Sequence, residues 1–88
     1  MSSEQKILVV EDNDFVRMQI VQFLKGEGFE VIETSDGQAA LEKMAPTIAL
    51  AIVDVRMEPI DGFEFVRTIR SMNMDTPVIL VTGDQNPD

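Results

Sequence analysis

The chain has 88 residues, of which 16 are acidic and 7 basic, with no histidine and no cysteine, for a formal charge of −9. That balance argues against a nucleic-acid or anionic-membrane face, which needs clustered Lys and Arg, and the absence of thiols excludes a disulfide framework or a thiolate metal site. A hydrophobic share of 44% belongs to a globular chain, and the length allows one small domain, taken as residues 1–88.

The opening Met1–Lys6 stretch has no apolar signal core, and no apolar run approaches the ~20 residues of a membrane span, so a cytoplasmic location is expected. Ile7–Val10 is a continuous apolar run, the mark of a parallel strand covered on both faces. Val16, Ile20, Phe23 and Leu24 then repeat at helical spacing, and Gly26 and Gly28 supply the stop. Phe15, Met18 and Val21 are further apolar residues outside that face. Glu30–Thr34 alternates and predicts a more exposed strand. Ser35 and Gln38 stand in capping-box spacing and open a second helix that ends before Pro46. Ile48–Val53 is a second continuous strand. Asp61, with Glu64 three residues on, caps a third helix whose apolar face is Phe65, Val66, Ile69 and Met72. Pro77–Thr82 is the fourth strand.

Strands alternating with helices predict an α/β fold, an open parallel sheet with helices on both faces. With strand order 2-1-3-4, the fourth strand is an edge, and Val78–Val81 is apolar and uncharged. Such an edge is expected to recruit a second copy of the chain.

Ligands in open α/β sheets sit beyond the carboxyl ends of the strands, where strand order reverses. Glu11 and Asp12 follow the first strand, Asp54 ends the third, and Thr82-Gly83 ends the fourth. Three carboxylates meeting there repel one another, and each raises its neighbours' proton affinity. Oxygen donors without His or Cys select a hard divalent cation such as Mg²⁺. The competing reading of Glu11, Asp12 and Asp14 is a helix N-terminus, where the dipole favours acids. It suits Asp14 best. It does not reach Asp54, which ends an apolar strand with no helix dipole immediately beside it.

In the order and spacing of these motifs, from Lys6–Asp14 to Pro77–Asp84, the chain resembles the receiver domain of bacterial two-component response regulators. The resemblance implies a flavodoxin-like fold cut after the fourth strand, with the fifth strand and last two helices absent. It implies that Asp54 accepts a phosphoryl group from a sensor histidine kinase or phosphotransfer protein and that the domain acts as a signalling switch rather than as an enzyme. It also implies a Mg²⁺ ion held by Asp12, by Glu11 through water, by Asp54 and by the Arg56 carbonyl, with the Thr82 hydroxyl bonding the phosphoryl group. In that family the positions of Arg56 and Asp84 tune access of the hydrolytic water, and the approach of these two residues over the site is expected to slow phosphate loss.

Two departures from the family stand out. Its proline directly follows the methionine, whereas here Glu58 intervenes between Met57 and Pro59. Its lysine at the end of the fifth strand has no counterpart, since no lysine follows Lys43. The alternative function is therefore a truncated, non-switching interaction or dimerisation unit. A phosphatase with an aspartyl nucleophile would want a second acid two residues on, where Arg56 stands.

Overall fold

The computed structural model describes residues 6–82. The elements are β1 (Lys6–Val10), α1 (Asp14–Gly26), β2 (Glu30–Thr34), α2 (Gly37–Lys43), β3 (Ile48–Asp54), α3 (Gly62–Ser71) and β4 (Val78–Val81). All strand pairs are parallel and the sheet order is β2-β1-β3-β4. The α/β class is the one read from the alternating apolar runs, and the order, with β4 outermost among the described strands, is the one the family resemblance implies.

Strand side chains alternate between the two faces, and each face has its own core. Leu8, Val10, Ala51 and Val53 pack with Ala40 of α2 and with Phe65 and Ile69 of α3. Ile7 and Val9 pack with Val21 and Leu24 of α1. One face thus carries two helices and the other carries one. β4 lies beside β3, and Ile79, paired with Ile52, remains 49% exposed on the α1 face. No helix among the described residues is long and apolar enough to cross a membrane.

The structure corrects three local readings. The core-facing stripe of α1 holds Val21, which is buried, whereas Phe23 is 66% exposed. The helix is therefore rotated relative to the stripe chosen from hydrophobicity alone. The cap of α2 is Asp36 rather than Ser35: its carboxylate accepts from the Ala39 amide at 2.8 Å. A carboxylate one residue later makes the same capping bond with the added favour of the helix dipole. Met72 is the C-cap of α3 and is exposed, because the buried stripe ends at Ile69.

Candidate functional site

Glu11 follows β1 directly, and its amide still donates to the Thr34 carbonyl at 3.1 Å, so the β pairing runs one residue past the strand. Its side chain turns inward and is 4% exposed. Oε2 accepts from the Asn13 amide at 3.1 Å, while Oε1 is buried without a hydrogen-bond partner among the described residues. Asn13 is the N-cap of α1, accepting from the Val16 amide at 3.0 Å. The cap is thus supplied outside the acid pair. Asp14 sits in the first turn of α1, as the dipole argument expects, and pairs with Arg17 at 2.6 Å.

Asp54 is the last residue of β3 and is 5% exposed. Its Oδ1 accepts from the Arg56 amide at 3.2 Å. Because β1 and β3 are neighbours in register, the ends of both strands arrive together. One carboxylate oxygen from each of Glu11, Asp12 and Asp54 lies within 4.8 Å of the others. Asp12 is the exposed member of the three. Burial, and then the charges of Asp54 and Asp12, push the Glu11 carboxyl above its ordinary value, against the opposing bond from the Asn13 amide.

That shift has a sign. A carboxyl that holds its proton more tightly in the folded chain stabilises the fold below the unfolded pKa and loses that contribution as pH rises through the folded one. Glu11→Gln is therefore expected to melt higher than the unchanged chain at neutral pH without divalent cation. The two melting curves should converge as the pH falls toward the ordinary glutamate range. Equal melting temperatures at neutral pH would contradict this.

Val81 pairs with Asp54 across β3 and β4, so Thr82, exposed, follows beside the end of β3. Arg56 is exposed, and Asp84 lies outside the described residues, so their expected approach falls there too. Between Val55 and Asp61 the chain makes a loop. Met57 is buried in the α2–α3 core, and the Glu58–Pro59 peptide bond is cis. The loop closes where the Gly62 amide donates to the Val55 carbonyl at 2.9 Å. Beside it runs an open cleft of about 560 Å³, lined among others by Asp12, Arg56, Glu58, Asp61 and Phe63.

Asp61 caps α3 through the Glu64 amide at 2.8 Å, as its spacing predicts. Gly62 has a different role from a turn residue, since its backbone is not in the left-handed region. A Cβ there would lie 2.8 Å from the Asp54 carbonyl oxygen and 2.9 Å from the Val55 Cα. The residue is small so that α3 can start against the end of β3. Sequence reasoning missed this contact and also the contact of Arg17 with the Glu11 carbonyl at 2.8 Å. The first had a signal in the Asp-Gly pair. The second had only the Asp14–Arg17 spacing.

The model of the response regulator receiver domain matches residues 7–88. The chain is 35% identical over 82 residues to the chemotaxis protein CheY of Treponema pallidum, covering 89% of this chain and 57% of that protein. It is 34% identical to the transcriptional regulatory protein ZraR of Klebsiella oxytoca, over 100% of this chain and 20% of that one. The chain thus spans only part of the length of either relative. Among solved structures, the response regulator TrrA of Thermotoga maritima, in complex with Mg²⁺ and BeF, superposes with a TM-score of 0.82 at 32% identity. That match covers 92% of this chain and 71% of that one. The sheet order, the acids at the ends of β1 and β3, and these likenesses agree: the chain belongs to the receiver domain family of two-component response regulators.

Proposed function

We propose that this chain is a phosphoacceptor module in which Asp54 takes a phosphoryl group from a phosphohistidine on a sensor kinase or phosphotransfer protein. A carboxylate oxygen of Asp54 forms the new P–O bond as the P–N bond to the donor imidazole breaks, and the imidazole leaves as the neutral base after taking a proton from solvent. The observation that carries this reading is a strand-end carboxylate, 5% exposed, converging with two further acids.

The residues fit a hard divalent cation. The donors are all oxygen, and Glu11 Oε1 is a buried acceptor without a hydrogen-bond partner among the described residues. Asp12, Asp54 and the Arg56 carbonyl would hold Mg²⁺, with Glu11 acting through water. When bound, the ion supplies positive charge against the charge on the transferring phosphoryl oxygens, much of what phosphoryl transfer requires. The likeness to TrrA, solved with Mg²⁺ and BeF, supports this assignment. The Thr82 hydroxyl then bonds a phosphoryl oxygen, and this new contact at the end of β4 makes the module a switch.

The test is to incubate the chain with acetyl phosphate, with and without Mg²⁺, and to follow an acid-stable, base-labile adduct by mass. A Mg²⁺-dependent adduct on Asp54 is expected, and its absence under all conditions would sink the reading. Independently of chemistry, Mg²⁺ at 100 times its Kd is expected to stabilise the fold by about 2.7 kcal/mol. Asp12→Asn should lose most of that gain in a thermal melt.

A further inference from the structure

Arg17 belongs to the stripe of α1 that faces the sheet. Arg17, Ile20, Val21 and Leu24 are spaced i, i+3, i+4 and i+7, one face of a helix, and the last three pack on that side of the sheet. A cation at the head of an apolar stripe is costly unless it is paired and hydrogen-bonded. The Arg17 side chain is 18% exposed, and all three of its guanidinium nitrogens donate. Nη2 reaches Asp14 Oδ1 at 2.6 Å, Nε reaches Glu33 Oε1 at 3.3 Å, and Nη1 reaches the Glu11 carbonyl at 2.8 Å.

These bonds are not equivalent. Asp14 and Glu33 are 87% and 48% exposed, and ion pairs of that kind contribute little to stability. The third bond goes to the main chain of Glu11, whose amide is tied to Thr34 and whose Oε2 is tied to the Asn13 amide. Asp12 lies between these anchored residues. The guanidinium also meets Glu11 on its carbonyl and not on its carboxylate. Its charge is matched by Asp14 and Glu33, outside the Glu11–Asp12–Asp54 cluster, so it holds the turn while leaving the cluster's own charge for a cation.

We propose that Arg17 is a positioning residue for the cation site, fixing the Glu11–Asn13 turn so that the Glu11 and Asp12 carboxylates stand toward Asp54. The inference rests on the cation site of the proposed function. Mg²⁺ binding is measured by titration calorimetry, and stability by thermal melts without Mg²⁺, on the unchanged chain, Arg17→Ala, Arg17→Lys and the double variant Asp14→Asn/Glu33→Gln. Loss of an outer-shell partner typically weakens metal binding by about 10–100-fold, so roughly a tenfold loss is expected for Arg17→Ala. Arg17→Lys, which keeps a cation without the planar fork, should fall between. The double variant removes both carboxylate charges but keeps the carbonyl bond, so it should bind Mg²⁺ as the unchanged chain does. An unchanged Kd in Arg17→Ala overturns the inference. So does a double variant that loses as much Mg²⁺ affinity as Arg17→Ala. If Arg17→Ala does not fold, Arg17→Lys and the double variant decide by the same criteria. Failure of the unchanged chain to bind Mg²⁺ overturns the functional reading itself, and this inference with it.

Discussion

Asp54→Asn is expected to abolish the phosphoryl adduct while leaving the fold intact. The substitution keeps the shape of the side chain and an acceptor oxygen for the Arg56 amide, which Oδ1 meets at 3.2 Å. It removes the anionic oxygen proposed to attack phosphorus, and a neutral amide is no substitute nucleophile. It also removes one of three converging charges, so the variant should melt no lower than the unchanged chain without Mg²⁺. The decisive reading is mass after treatment with acetyl phosphate and Mg²⁺. Asp12 is the control, because its carboxylate belongs to the same cluster. An adduct that persists in Asp54→Asn and vanishes in Asp12→Asn would move the nucleophile to Asp12.

Gly62→Ala is expected to lower stability by about 2 kcal/mol, within the range for overpacking a close contact. Alanine normally favours a helix by up to about 1 kcal/mol over glycine, so the sign depends on the space available. The Cβ would meet the Asp54 carbonyl oxygen at 2.8 Å and the Val55 Cα at 2.9 Å. Both are main-chain atoms that cannot rotate away, so the helix start or the strand end must move. For a domain of this size, the loss corresponds to a fall in melting temperature of roughly 8–16 °C. Phosphorylation should weaken as well, because the displaced carbonyl belongs to Asp54. A Gly62→Ala chain that melts with the unchanged one would show that α3 can back away at no cost.

The sheet was legible because its strands are apolar runs bounded by turn residues, and such runs need no knowledge of partners to be seen. The acids were legible because they stand at strand ends, where topology places a ligand. The orientation of α1 was less so. Hydrophobicity puts Phe23 in the core, but the rotation of the helix depends on which neighbours its stripe meets, and the packed stripe begins with Arg17. The cap of α2 turned on one residue, because Ser35 and Asp36 both have the chemistry and only backbone geometry chooses between them. The role of Gly62 is a distance across the fold, from α3 to the end of β3, and no local pattern encodes a distance.

Val55 stands at a crossing of the main chain. Its amide donates to the Val81 carbonyl at 2.8 Å and its own carbonyl accepts from the Gly62 amide at 2.9 Å. The segment between Val55 and Gly62 is therefore a closed excursion whose two ends meet in one hydrogen bond. Substitutions within it, such as a proline displaced by one place, can reshape the rim of the cleft while the ends stay joined. Asp54 lies outside the excursion and keeps its place. The loop can thus vary as an exchangeable cassette while the strand-end carboxylate remains mounted on the sheet.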